Sequence, residues 1–136
     1  MKPISVAACI LIVCSLIGVA LAGDGPLIAD PSVPAASGRI HFEHDKNGNL
    51  KFHIDTKHLG GPTALTPGKS VYVVWIQPPG KDPINAGVLT VNDQLEGSFR
   101  GTTPYPGFDV FVTAEDSANV DHPSGPHVLH GTVQAK

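Results

Sequence analysis

Alternation of apolar and polar residues over positions 38–55 is the feature that most constrains what this chain can fold into. Ile40 and Phe42 alternate with polar neighbours, and the apolar residues of 50–54 do the same after a short turn. A period of two is the signature of β-strands that bury one face. The segment therefore predicts two strands joined as a hairpin.

Two turns could join these strands. A two-residue Asn47-Gly48 turn would place Phe42 opposite His53 and mix the two faces. A three-residue loop, Lys46-Asn47-Gly48, puts Gly48 in the left-handed position that such loops need. It also pairs apolar with apolar residues and opposite charges with each other, which is how register is set. We predict this second register, with the pairs Asp45–Asn49, Phe42–Phe52, Ile40–Ile54, Arg39–Asp55, His41–His53 and Glu43–Lys51.

Further strands are indicated downstream. Residues 70–77 are almost wholly apolar and β-branched or aromatic, which predicts a central strand buried on both faces. Turn residues separate four more candidates, at 84–91, 95–101, 108–115 and 127–133. The expected fold is all-β: an antiparallel β-sandwich of about seven short strands, Ig-like or a partly open barrel, preceded by an N-terminal signal helix.

The first 22 residues have the organisation of a secretion signal. Lys2 gives a positive start, an apolar run follows, and Ala20-Leu21-Ala22 offers small residues for cleavage. An uncleaved membrane anchor is the alternative, since about 20 apolar residues span a bilayer. The predicted organisation is a signal peptide at 1–22, a flexible proline-containing linker at 23–37 and a β-sandwich domain at 38–136. The expected location is extracytoplasmic, either periplasmic or secreted.

Composition excludes several functions. The formal charge is −3 and basic residues are not clustered, which argues against a nucleic-acid partner. Both cysteines, Cys9 and Cys14, lie in the predicted signal, and the only methionine is Met1. The chain beyond residue 22 therefore has no disulfide and no sulfur ligand for a metal.

Four segments carry a family resemblance. They are T-P-G-K-S-V-Y-V-V-W-I-Q, I-N-A-G-V-L-T-V, F-D-V-F-V-T-A-E-D and P-S-G-P-H-V-L-H-G, in this order within about 65–133. Together they resemble the C-terminal, extracytoplasmic domain of anti-sigma-K factors (RskA-like). The matching residues are Tyr72, Trp75, Ala86, Gly87, Val88, Val112, Thr113, Glu115, Pro123, Gly125, Pro126, Val128, Leu129 and Gly131.

The resemblance implies an extracytoplasmic β-sandwich that senses or binds a partner. In that family the domain follows a membrane helix and a cytoplasmic sigma-binding domain, for which this chain offers no room before its signal. Direct sigma-factor binding is therefore not expected. The resemblance brings no catalytic residues, and it implies that Trp75 and Glu115 are fold determinants.

His41 and His53 are the sharpest candidates for a site. Directly opposed strand residues have Cβ atoms about 5 Å apart, within reach of one metal ion. Glu43 lies one step along the same face and could add an oxygen ligand, whereas His44 should point to the other face. The alternative is an exposed polar strand face with no ligand, since one cross-strand pair is half of a four-ligand site.

Other candidates are less developed. Asp121, His122, His127 and His130 form a second cluster, but His127 and His130 are three apart and should face opposite sides of a strand unless a bulge intervenes. The segment 45–49 resembles part of a calcium loop, yet it lacks the later glutamate. The serines have no nucleophile-elbow context.

The sequence thus predicts a non-catalytic binding module, with no cofactor, that contacts an unknown protein or small ligand. Its sheet edges are expected to offer contact by strand addition. The alternative function is a periplasmic metal-binding protein that uses the surface histidines.

Overall fold

The computed structural model describes residues 22–135, so the predicted signal helix lies outside the described residues. Eight β-strands and one 3₁₀ turn, Pro62–Ala64, make up the regular structure of this part of the chain. The strands are β1 Ala22–Ala29, β2 Ser37–His44, β3 Leu50–Lys57, β4 Val71–Gln77, β5 Ile84–Val91, β6 Gly97–Thr103, β7 Gly107–Glu115 and β8 His127–Gln134. The all-β prediction is confirmed. Within 22–135, no helix is long and apolar enough to cross a membrane.

The strands close into a barrel rather than a sandwich. Their order around the barrel is β1-β2-β3-β6-β5-β4-β7-β8, every neighbour is antiparallel, and β8 returns to β1. The prediction of a sandwich or a partly open barrel is therefore wrong, because the sheet is closed on itself. The local alternation of apolar residues is the same in both architectures, so the sequence pattern could not distinguish them.

Two short seams hold the barrel closed. At the first, β1 and β8 share only the pairs Ile28–His130 and Ala29–Leu129. At the second, β5 and β6 share only Thr90–Ser98 and Val91–Gly97. Elsewhere neighbouring strands pair over five to eight residues. The barrel is thus two four-stranded halves, β1-β2-β3-β6 and β5-β4-β7-β8, joined at these seams.

β1 lies in the segment predicted as a flexible linker, so that prediction is wrong for 23–29. Its pattern is hidden because Gly23, Gly25 and Pro26 leave Leu27 as its one deeply buried side chain. A larger residue at position 23 would crowd the neighbouring strand, because a Cβ there would lie 2.8 Å from the Phe42 ring. The position of β1 is therefore set by its contacts with β2 rather than by an apolar run of its own.

The predicted hairpin is confirmed in detail. β2 and β3 pair Phe42 with Phe52, Ile40 with Ile54 and His41 with His53. Gly48 has φ +85°, the left-handed conformation that the three-residue loop requires.

Side chains fill the interior of the barrel. The Phe52 ring lies 5.8 Å from that of Phe99 and 5.6 Å from that of Phe108, both tilted. Tyr72 is 1 % exposed and donates its hydroxyl proton to the Gly60 carbonyl at 2.7 Å. An eight-stranded barrel is just wide enough for such filling. The interior is accordingly a packed core.

β4 is buried on both faces, as predicted. Tyr72, Val74 and Ile76 face the interior, while Val73 and Trp75 pack on the outside with Phe111. The loop 116–126 covers this outer cluster. Asn85 anchors it by donating through Nδ2 to the carbonyls of Ala118, at 3.0 Å, and Val120, at 2.8 Å.

Glu115 fixes the far end of the same loop. Its carboxylate accepts hydrogen bonds from the Ser124 hydroxyl (2.6 Å), the Ser124 and Gly125 amides (3.1 Å each) and the Thr113 hydroxyl (2.6 Å). Thr113 in turn accepts from the Trp75 indole at 2.8 Å. Burial by itself would raise the pKa of Glu115, but these hydrogen bonds outweigh it and the pKa lies below its ordinary value.

Replacing Glu115 by Gln should lower the free energy of unfolding near neutral pH by about 2 kcal/mol, because charge-assisted hydrogen bonds to a buried group are lost. The pH dependence should change as well. The folded pKa is below the ordinary 4.5, so Glu115 stabilises the fold above that pH and ceases to do so as the pH falls through the folded value.

Urea unfolding at a series of pH values checks both expectations. Glu96→Gln is the control, since Glu96 is exposed in the β5–β6 turn. Identical pH slopes for the wild type and Glu115→Gln would contradict the assignment.

Candidate functional site

The outer surface of β1-β2-β3-β6 carries a continuous polar face, which we call the histidine face. Alternation along each strand sends its residues outward while apolar neighbours fill the core. It consists of Asp24, Arg39, His41, Glu43, Lys51, His53, Asp55, Ser98 and Arg100.

His41 and His53 meet at the centre of this face, as predicted. They are directly opposed across β2 and β3, and their ring centroids are 6.2 Å apart. On the other side of β3, His53 is opposite Arg100. Side-chain exposure is 47 % for His41 and 26 % for His53, so both rings are accessible from solvent.

Asp55 is the residue that sequence reasoning missed. Its Oδ1 lies 3.1 Å from Nε2 of His53 and its Oδ2 lies 3.6 Å from Nε2 of His41. The signal was available, because a residue two positions after His53 shares its strand face. The predicted pairing of Asp55 with Arg39 across the strands is confirmed, but the Asp55 carboxylate contacts the histidines.

Arg39 instead contacts the first strand. Its Nη2 lies 3.0 Å from Oδ1 of Asp24, whose other oxygen lies 3.6 Å from Nδ1 of His41. His41 is therefore flanked by two carboxylates, one at each ring nitrogen. Asp24 could not be foreseen at this position because β1 was not predicted to be a strand.

Glu43 is placed with Lys51 rather than with the histidines. Its carboxylate is 3.8 Å from Nζ of Lys51, and both side chains are largely exposed. His44 is part-buried in the alternation of Ile40 and Phe42, and its Nδ1 is buried without a hydrogen-bond partner. Among residues 22–135, no group of three or more histidine, cysteine, aspartate or glutamate side chains has the geometry of a metal site as it stands.

Two shallow depressions flank the histidine pair. One, of about 700 Å³, is bordered by Asp24, Lys51, His53 and Arg100. The other, of about 750 Å³, is bordered by Arg39, Asp55, Asn92 and Glu96. His41 lines both of them. A ligand on either side would meet charged groups of both signs.

The second histidine cluster is rearranged by a β-bulge. The pairing of β7 with β8 shifts between Val112 and Thr113, so that Val128 and Leu129 are both buried. His127 and His130 are both exposed and line one depression, contrary to the opposite orientation predicted for a regular strand. The His127 ring stacks on Phe111 with centroids 4.8 Å apart and planes 6° apart.

The other members of that cluster, Asp121 and His122, contact each other at 2.7 Å and are both highly exposed. In the hairpin turn, the Asp45 carboxylate accepts from the amides of Asn47 and Asn49 at 2.8 and 3.0 Å. These bonds give Asp45 the turn role that the sequence indicated.

Ser98, His53 and Asp55 are the residue types of a hydrolytic triad and lie side by side on the histidine face. The Ser98 hydroxyl lies 3.4 Å from Nε2 of His53, and Asp55 approaches the same nitrogen. A catalytic triad needs the acid on one imidazole nitrogen and the serine on the other. Here both compete for one nitrogen, so the imidazole is not oriented to activate Ser98.

Comparison with known proteins does not identify a family for this chain, because the sequence matches no family model and no curated protein. The resemblance to the anti-sigma-K outer domain therefore stays a prediction.

Substitutions on the two faces of β3 should differ sharply in their effect on the free energy of unfolding. His53→Gln and Asp55→Asn should each change the free energy of unfolding by less than about 1 kcal/mol, because exposed ion pairs contribute little. Ile54→Ala, between them on the inner face and fully buried, should cost about 2–5 kcal/mol. Denaturant unfolding measures all three. A loss in the surface variants as large as that of Ile54→Ala would show that this face is packed against structure.

Proposed function

We propose that the protein is an extracytoplasmic, non-catalytic binding module that recognises a protein or small ligand through the histidine face. The observation that carries this proposal is the concentration of exposed, mutually contacting charged groups around His41 and His53, between two depressions.

The barrel architecture favours an external site. Eight-stranded barrels that carry a ligand inside keep a cavity there, whereas this interior is filled by aromatic and aliphatic side chains. Contact by strand addition, which the sequence suggested, has less room here than on an open sheet. It requires an unpaired strand edge, and each of the two seams pairs two residues of such edges. Side chains on the outer surface offer recognition along the full length of the paired strands.

Charge pattern indicates the kind of partner. Arg39, Lys51 and Arg100 alternate on this face with Asp24 and Asp55. Such mixed charge favours a partner with a complementary mixed surface over a uniformly charged polymer such as nucleic acid.

The anti-sigma-K resemblance supports the same class of function. The resemblance implies that Trp75 and Glu115 are fold determinants. The two side chains are 0 % and 1 % exposed and hold the loop 116–126 against the barrel, which fits that role. We propose that the chain is a relative of that outer domain and is exported by its first 22 residues.

Site-specific photo-crosslinking in the producing cells tests the proposal. A photoreactive residue at Arg100, on the histidine face, should yield a discrete adduct with one partner, identified by mass spectrometry. The same residue at Gln134, which is exposed on β8 in the other half of the barrel, is the matched control. Adducts of equal yield from both positions, or from Gln134 alone, would refute the histidine face as the binding surface.

A further inference from the structure

We infer that His41, His53 and Asp55 together bind one divalent transition-metal ion, of the zinc or copper class, on the outer surface of the barrel. The metal site would lie on the same histidine face that the proposed function uses for binding a partner. It does not depend on a macromolecular partner, so either can fail alone.

The donor atoms of the two histidines lie on either side of one carboxylate. Both imidazole Nε2 atoms approach one carboxylate, at 3.1 Å for His53 and 3.6 Å for His41. In a tetrahedral zinc site with bonds of about 2.0–2.1 Å, neighbouring donor atoms lie about 3.3 Å apart. The two contacts are of this length but fall on different carboxylate oxygens, so the side chains must turn for one ion to reach all three ligands.

Asp24 lies on the side of His41 where a metal-binding histidine usually has its outer hydrogen-bond partner. Its carboxylate lies 3.6 Å from Nδ1 of His41. A proton on Nδ1 then faces a negative charge, which leaves the Nε2 lone pair for the ion. Arg39 holds Asp24 in place at 3.0 Å.

The ion would complete the arrangement, because the three groups are not preassembled as a metal site. Strand pairing fixes the backbone of β2 and β3. The side chains are free to turn, since His41 and Asp55 are each 47 % exposed. Three protein ligands leave at least one coordination position open to water or to a donor from a bound partner.

Ligand chemistry selects the metal. Two imidazoles and one carboxylate suit Zn²⁺, Cu²⁺ and Ni²⁺, whereas Ca²⁺ and Mg²⁺ prefer sites made wholly of oxygen. Lys51 does not occupy the position needed, because its ammonium group contacts Glu43.

The test is calorimetric titration of the untagged protein, as processed by its expression host, with Zn²⁺ and with Cu²⁺. Wild type should bind one ion per chain. His41→Gln/His53→Gln should abolish binding, and Asp55→Asn should weaken it at least tenfold. His127→Gln/His130→Gln is the matched control, because these two histidines are also exposed, and it should bind as wild type does. Mg²⁺ should give no saturable heat.

Unfolding curves confirm that each variant is folded. Absence of saturable heat in the wild type, equal binding by His41→Gln/His53→Gln, or loss of binding in the His127/His130 control would overturn the site. Full affinity in Asp55→Asn would overturn the carboxylate as a ligand. Crosslinking from Arg100 in a protein that binds no metal would reject this inference and leave the proposed function standing.

Discussion

Contact between β1 and β8 is the constraint on which the rest of this structure depends. Only two residue pairs join these strands, at Ile28 and Ala29 of β1. Close packing reinforces them, because Gly131 of β8 lies directly against Pro26 and Leu27. Without this seam the two four-stranded halves would form an open structure with two free edges, which is the arrangement most exposed to unwanted strand pairing.

Closure decides where function can reside. It encloses a core of aromatic and aliphatic side chains, and it leaves only parts of the four seam strands unpaired, where an open sheet would leave two whole strand edges. β1, which takes part in this closure, also pairs with β2 over six residues, and that pairing brings Asp24 to Arg39 and His41. The charged environment of the histidine pair is therefore a product of the strand that closes the barrel. On the opposite half, the loop fixed by Glu115 covers Trp75, so that surface is occupied by the chain itself.

The hairpin could be predicted to the residue because its signals are local: a glycine at the one position with positive φ, and apolar side chains that agree in only one register. The burial of β4 on both faces could be predicted from its almost wholly apolar composition. β1 could not be predicted, since Gly23 and Gly25 hide the alternation and its pairing is specified by β2. The bulge that brings His127 and His130 to one depression is likewise set by the partner strand. For the site, His41 and His53 followed from the register, as did the pairing of Asp55 with Arg39. Asp24 required β1, and the contact of the Asp55 carboxylate with the two histidines was not predicted.

Unfolding of Gly131→Ala beside Gly25→Ala tests closure most directly. A Cβ at Gly131 would lie 2.8 Å from both the Pro26 carbonyl oxygen and a Leu27 methyl group, whereas one at Gly25 would meet nothing within 4 Å. The closed barrel predicts a loss of about 1–3 kcal/mol in the free energy of unfolding for Gly131→Ala, and a change within about 0.5 kcal/mol for Gly25→Ala. Equal stability of the two variants would show that β1 does not pack against β8, and the closed barrel would have to be abandoned.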